Sequence, residues 1–311
     1  MSTSPTRSGM QAGMGGDMIS AAMFSGPERE RIAAALAEIA CAAGEVLRRY
    51  HRGPCPHALK ADGSPSSAAD IEAEALIVAA LAARFPGIAV IAEESAAADE
   101  LAARPSQHFF LVDPLDGTRD FLAGTPDYSV NIALVAGDRP VAAALVAPGL
   151  GRAWWAGDAT VEASVIEGHP GAGRPVRARP APPSGLVALG SRRHGDPETA
   201  LCLAALPVSE TRRSGSALKF GLIAAGEADV YIRCGPTMEW DTAAGDHILA
   251  AAGGCVVIPG GGPILYGRYR AGYRNGPFAA LGDPELAAGL ALPAPRGTGG
   301  APEQPFTAAH R

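Results

Sequence analysis

The sequence predicts a layered α/β fold in two lobes with a cleft between them. Three observations carry that prediction. Short apolar runs alternate with amphipathic stretches along most of the chain. A Gly/Pro/Arg-rich stretch at 168–184 divides them into two series, and acidic residues recur where apolar runs end or helical stretches begin. Residues 27–180 are assigned to an N-terminal α+β lobe and 181–292 to a C-terminal α/β lobe. The Gly/Ser/Met-rich segment 1–26 and the Pro/Gly-rich tail 293–311 lack periodicity and are expected to be disordered.

The first helix is expected in "SGPERERIAAALAEIACAAGEVLRRY", where Pro27 suits the first turn and Glu28 and Glu30 suit the positive end of the helix dipole. "HRGPCPHALKADGSPSSAAD" reads as a Pro/Gly-rich loop carrying Lys60. A second helix follows from about Ser67, with Asp70 in its first turn and Ile71, Leu76, Ile77, Ala80 and Leu81 on its buried side. "IAVIAEES" is a strand ending in Glu93 and Glu94, and "HFFLVDP" a strand ending in Asp113. "YSVNIALVAG" and "PVAAALVAP", split by "GDRP", form a hairpin, and "GRAWWAG" a further strand. In the second half, "SGLVALGS", "ADVYIR" and "CVVIP" are strands. "DPETALCLAAL", "GSALKFGLIAAGE" and "DTAAGDHILAAAGG" are helices, the last stopped by Gly253 and Gly254.

Length and composition bound the function. A chain of 311 residues that is 47% apolar and 19% charged can bury a large core. Its formal charge of −6 argues against a nucleic-acid binder but leaves room for a small anionic substrate at a local site. Five dispersed cysteines without CxxC spacing read as free thiols in a reducing compartment. No apolar run reaches the ~18–20 residues of a membrane span, and "SGMQAGMGGDM" stands where a signal peptide needs an apolar stretch. The expectation is a cytoplasmic protein with no integral membrane segment, peripheral association remaining open. Among 26 basic residues only Lys60 and Lys219 are lysines. Either base composition left two survivors, or these positions require a compact ammonium.

The acidic residues hold the chemistry. Asp113 and Asp116 in "LVDPLDGTRDF", Glu93 and Glu94 in "AEES", Asp70, and Asp241 in "EWDTAAG" all fall at element ends, where separate segments can converge. Like charges packed together would raise one another's pKa, so they coexist as anions only around a cation. Oxygen donors without His or Cys favour a hard ion, Mg²⁺ above all. Taken singly, each has a plain structural reading as a turn residue, helix-start acid or solvated corner. The ordered set has none.

"AEES", "DPLDGT" and "EWDTAAG" together resemble the signatures of the Mg²⁺-dependent, lithium-sensitive phosphatases of the inositol monophosphatase superfamily, over about Glu28 to Leu281. The resemblance implies that family's carbohydrate-phosphatase fold of alternating α-β-α-β-α layers. It further implies two or three Mg²⁺ ions per site, held by Glu93, Asp113, Asp116, Asp241 and the Leu115 carbonyl. Pro114 and Gly117 would impose the turn that exposes that carbonyl. Glu94 is the weaker choice of its pair, since strand neighbours face opposite sides. The implied reaction is metal-assisted hydrolysis of a phosphomonoester, with Asp70, Thr118 and Glu93 catalytic and the Gly117 and Thr118 amides on phosphate oxygens.

Within the superfamily, "LKADGSPSSAAD" resembles the bisphosphate-nucleotidase branch, and Ser216, Lys219 and Arg233 match contacts to the nucleotide's second phosphate. A Lys/Arg pair suits that group, which carries about −1.5 to −2 charges near pH 7. His194 in "GSRRHGD" matches a nucleotide-contacting histidine, and reads equally as a surface-loop residue. Lys60 either neutralises the site or gates its loop. Three departures stand out: Ser66-Ser67 where Val-Thr is usual, Arg193 for a common serine, and "RNGPF" where Asn-Pro-x-Phe is expected. The expected activity is hydrolysis of adenosine 3′,5′-bisphosphate to AMP, with its sulfated precursor as a further substrate, in sulfur assimilation. The rivals are an inositol-1-phosphate or sugar-phosphate phosphatase and a non-catalytic nucleotide or metal sensor. The partner is a small-molecule nucleotide, and the chain is expected to be a monomer or homodimer.

Overall fold

The computed structural model describes residues 24–60, 63–98, 106–192 and 195–295. The expected disorder of segment 1–26 therefore bears mostly on residues outside the described ones, as does that of the tail beyond 295. Phe24 is described, and its ring meets His108 edge-on at 5.3 Å just ahead of the first helix.

Helix α1 (Gly26–His51) starts at a capping box between Ser25 and Glu28. Two short strands, β1 (His57–Leu59) and β2 (Pro65–Ser67), form an antiparallel pair in the segment expected to be loop. Helix α2 (Ala68–Arg84) follows, then β3 (Ala89–Ala92), α3 (Glu93–Ala98), β4 (His108–Asp116) and α4 (Thr118–Leu122). Glu93 and Glu94 thus open a short helix instead of ending the strand. The α2 stripe is also rotated from the expected one. Ile71 is 60% exposed, while Ala69, Asp70, Ala73, Glu74, Ile77 and Leu81 are buried. That rotation turns two carboxylates, one helical turn apart, inward.

Strands β5 (Ser129–Ala136), β6 (Arg139–Ala147), β7 (Arg152–Ala156), β8 (Thr160–Ile166), β9 (His169–Pro170) and β10 (Arg174–Pro175) complete an eight-stranded sheet. Its order is β10-β8-β7-β6-β5-β4-β3, with β9 on β8; only the β3–β4 pair is parallel. The expected hairpin is the β5–β6 pair. Every residue of β5 is buried, which is why it reads as an unbroken apolar run. Val130, Ile132 and Leu134 face α1 and α2, while Ala133 and Val135 face the opposite side.

The second half supplies β11 (Leu186–Gly190), α5 (Pro197–Ala204), β12 (Val208–Arg213), α6 (Leu218–Ala224), β13 (Val230–Arg233) and β14 (Thr237–Met238). Helix α7 (Glu239–Ala251), β15 (Cys255–Val257), β16 (Arg274–Asn275) and β17 (Phe278–Leu281) follow. A five-stranded sheet runs β12-β11-β13-β17-β15. Its faces divide by period two: Val187 and Leu189 pack with α6 and α7, whereas Leu186 and Ala188 pack with Cys202 of α5. Helix α7 lies across β4–β7 of the large sheet, so α6 and α7 form a middle layer between the sheets. The stack is therefore α-β-α-β-α, as the family resemblance implies. The middle layer is tight: a Cβ on Gly245 of α7 would stand 2.3 Å from the Phe220 ring of α6. All five cysteines are free.

Candidate active site

The strand end that carries Asp113 and Asp116 is irregular, and the irregularity explains the motif. In a regular strand two residues three apart face opposite sides. Here Asp113 pairs with Asn131 and Asp116 with Ser129, so β4 spends one more residue than β5 across the same span. This bulge, at Pro114-Leu115, brings both carboxylates to one side. Gly117 then turns the chain at φ +94°, where even a Cβ would press on the Asp127 carbonyl at 3.0 Å, and α4 begins with Thr118.

The other acids arrive from separate elements. Asp70 and Asp241 each occupy the third position of a helix and accept from the backbone N–H of the residue before it, Ser67 at 2.8 Å and Met238 at 2.9 Å. Glu93 opens α3, whose own first amides are capped from outside. The buried Glu74 accepts from Glu94 N and Ser95 N, both at 2.8 Å, and from the Ser95 hydroxyl. Asp113 accepts from the Leu115 amide at 3.0 Å, and Asp116 from that of Ala217 across the cleft.

Burial first, and then the charges of Glu93, Asp116 and Asp241, hold the Asp113 carboxyl well above the usual carboxylate range. Glu93, Asp116 and Asp241 are raised as well, chiefly by burial. Lys60 pulls Glu93 back, Lys219 pulls Asp116 back, and Asp116 and Glu93 push Asp241 further up. Among the described residues no three His, Cys, Asp or Glu side chains are already gathered closely enough to hold a metal ion. Glu93, Asp116 and Asp241 line one cleft, and Asp113 lies behind it, within electrostatic reach of all three. The donor set is all oxygen, its charges repel, and burial penalises each of them. That chemistry fits a hard divalent cation.

Thr118 Oγ1 lies 3.1 Å from Asp70 Oδ1 and 3.1 Å from the Leu115 carbonyl oxygen. Asp70 is fully buried, and burial pushes it up to about 6, with hydrogen bonds from Ser67 opposing and the charge of Glu94 adding. Lys60 Nζ donates to Glu93 Oε1 at 2.9 Å and Glu94 Oε1 at 2.6 Å, and Ser66 Oγ donates to Glu94 Oε2 at 2.6 Å. Burial alone would lower the Lys60 ammonium, but Glu93 and Glu94 outweigh it and hold it above the ordinary lysine value. Lys60 is thus ion-paired with both glutamates. Strand alternation does not separate Glu93 from Glu94, since both sit in one helical turn and share Lys60.

A cleft of about 660 Å³ is lined by Glu93, Asp116, Thr118 and Asp241 together with Lys219 and Arg233. Lys219 is 3% exposed. Its ammonium donates to the carbonyls of Ser214, at 3.3 Å, and Ser216, and stacks 4.6 Å over the Tyr231 ring. Burial lowers it to about 8 against the pull of Asp116. Ser216, at φ +47°, borders the cleft with Gly117. The structure thus brings together Asp70, Glu93, Asp113, Leu115, Asp116, Gly117, Thr118 and Asp241, with Lys60, Ser216, Lys219 and Arg233 around them. His194 lies outside the described residues.

Several supporting residues escaped the sequence reading. Glu74 positions α3. Glu239, fully buried, accepts from Gly267 N at 2.6 Å and Arg268 N at 2.9 Å. Asn275, in the departure "RNGPF", donates to Met238 O at 3.2 Å and Thr242 Oγ1 at 2.8 Å, pinning the start of α7. Glu74 had one readable signal, its place one turn beyond Asp70 on the same helix face.

Comparison with known proteins places the chain in a family. The profile of the inositol monophosphatase family matches residues 28–291. This chain belongs to the inositol monophosphatase family. Among its relatives, the 3′(2′),5′-bisphosphate nucleotidase CysQ of Salmonella typhimurium is 38% identical over 70% of this chain and 86% of its own. The CysQ of Escherichia coli K12 is 36% identical over 74% and 91%. The crystal structure of CysQ from Bacteroides thetaiotaomicron, a bacterial member of the family, superposes with a TM-score of 0.69 at 33% identity, covering 81% of this chain and 97% of that one. An inositol monophosphatase from Anabaena, 22% identical, shares the fold with a TM-score of 0.64 over 85% and 96%.

Proposed function

We propose that this family member hydrolyses nucleoside 3′,5′-bisphosphates, adenosine 3′,5′-bisphosphate foremost, to the 5′-monophosphate and inorganic phosphate, with the sulfated precursor as a further substrate in sulfur assimilation. The observation that carries the reading is one cleft lined both by the carboxylates of Glu93, Asp116 and Asp241 and by the Lys219 and Arg233 cations. The CysQ relatives, matched over most of their length, support the same substrate class.

Glu93, Asp113, Asp116, Asp241 and the Leu115 carbonyl would hold Mg²⁺, two or three ions by the family's pattern. When bound, the metal supplies charge neutralisation for the phosphoryl group and lowers the pKa of water. The chain's own residues then orient and deprotonate. Thr118 Oγ1, donating to Asp70, presents its lone pairs to the attacking water. The water's proton passes to Thr118 Oγ1 as the threonine proton passes to Asp70 Oδ1, and Ser67 holds that carboxylate in place. The non-reacting phosphate lies toward Ser216, Lys219 and Arg233.

A panel of nucleoside 3′,5′-bisphosphate, nucleoside 3′-monophosphate, inositol 1-phosphate and a sugar phosphate, assayed with Mg²⁺ and with or without Li⁺, tests this reading. The bisphosphate is expected to have the highest kcat/KM, with activity lost to a chelator and inhibited by Li⁺. Preference for inositol 1-phosphate would assign the cleft to the other branch, and no turnover of any ester would leave a sensor.

A further inference from the structure

Asp127 stands two residues ahead of β5, is buried, and belongs to none of the motifs that carry the site. Its carboxylate reaches into the second half of the chain. Oδ2 accepts from the Gly215 amide at 3.1 Å and pairs with Arg192 Nη2 at 2.7 Å. Its backbone is equally confined. The Asp127 carbonyl oxygen would stand 3.0 Å from a Cβ on Gly117 and 2.7 Å from one on Gly215, so it is in close contact with both glycines. A Cβ on Gly117 would also meet that of Ser216 at 3.4 Å. The 214–217 loop is therefore seated on the turn that follows Asp116, and Asp127 fastens it there.

Each amide of the loop has a separate use. Ser214 N donates to the Gly190 carbonyl of β11 at 3.1 Å, Gly215 N donates to Asp127, and Ala217 N donates to Asp116 Oδ2. The loop is thus held at one end by the five-stranded sheet, in the middle by Asp127, and at the other end it holds Asp116. A donor on one oxygen of a ligating carboxylate sets the direction of the group, and such outer partners govern metal affinity. Asp127 does not line the cleft, so it can act on the site only through this loop.

We propose that Asp127 is a positioning residue for the metal site: by clamping Gly215 it keeps the Ala217 amide on Asp116 and so fixes the direction of that carboxylate. The assignment rests on the reading of Asp116 as a metal ligand. It goes beyond that reading by making the ligand's orientation depend on a side chain outside the cleft.

The test measures Mn²⁺ binding to the full chain freed of metal, by isothermal titration calorimetry. The Mg²⁺ concentration for half-maximal hydrolysis of adenosine 3′,5′-bisphosphate and the melting temperature are measured beside it. Asp127→Ala is expected to weaken Mn²⁺ binding and to raise the half-activating Mg²⁺ concentration, each by about 10–100-fold. Asp127→Asn gives up the charge opposite Arg192 but keeps an oxygen for the Gly215 amide, and is expected to recover most of that loss. Asp127→Ser, whose hydroxyl stops one bond short of the amide, repeats the Ala test if the Ala variant does not fold. Ala and Ser variants that melt lower yet bind Mn²⁺ with wild-type affinity would reduce Asp127 to packing and overturn the assignment, leaving the proposed function intact. An Asn variant as weak as Ala would overturn it too, since the charge and not the clamp on Gly215 would then be at work. Wild-type protein that neither binds Mn²⁺ nor responds to Mg²⁺ would remove the metal site itself, and the positioning role with it.

Discussion

The acidic and the cationic walls of the cleft are built differently. The acidic wall stands on the large sheet, at the bulged end of β4, over a core in which β5 is buried along its whole length. Its carboxylates take their directions from element starts, a capping box at Asp70 and matching third-position bonds at Asp241. The cations stand elsewhere, Lys219 in the first turn of α6 and Arg233 at the end of β13 in the five-stranded sheet. They reach to backbone, as Lys219 does to the Ser214 and Ser216 carbonyls. Asp113 and Asp116 on the large sheet and the cations on α6 and β13 rest on different elements and can be substituted separately.

The sharpest way to break the comparison is at the acidic wall. Asp116→Asn should lower turnover of bisphosphate and monophosphate alike by about a thousandfold. Circular dichroism and melting should show a folded protein, since the change removes a buried charge. Selective loss of one substrate would mean that the two walls are not separate. Glu74→Gln reaches the same wall indirectly by loosening the cap of α3, and should weaken Mg²⁺ activation about 10–100-fold, seen as a shift in the Mg²⁺ concentration for half-maximal rate.

At the cationic wall, Lys219→Ala should raise KM for the bisphosphate about tenfold and lower its advantage over a monoester. Lys219→Arg should not restore it, because the position is buried and holds a compact ammonium against the Ser214 and Ser216 carbonyls, a geometry that a larger planar guanidinium does not reproduce. The smallest effect is at Ser67. Burial raises Asp70 to about 6, so its base form is lost as pH falls through that value, and kcat should decline on the acid side there. The Ser67 hydrogen bonds favour the ionised form. Ser67→Ala should therefore move that acid limb upward and cost about 1 kcal/mol of stability, measured by a pH–rate profile and thermal melting.

Much of the acidic wall was legible because its signals are local. An apolar run, a proline, two aspartates and a glycine describe a strand that ends in a turn, and Ser67 with Asp70 describes a helix start. What stayed hidden depends on partners distant in sequence. Strand β12, "VSETRR", has no apolar pattern because it is an exposed edge carried by pairing with β11. Ile71 looked like core, yet the helix turned its face so that Asp70 and Glu74 could be buried against groups from β2, α3 and α4. The placement of Glu93 at a helix start also depended on Glu74, twenty residues away from the amides it caps.

The central claim is that the clustered acids of β4, α3 and α7 share a space made for divalent cations. A crystal of the protein soaked in Mn²⁺ and measured at the manganese absorption edge tests it directly. Anomalous peaks are expected among Glu93, Asp113, Asp116 and Asp241, with the Leu115 carbonyl oxygen turned toward one of them. An ordered cleft with no peak there, in crystals of a protein active with Mn²⁺, would contradict it.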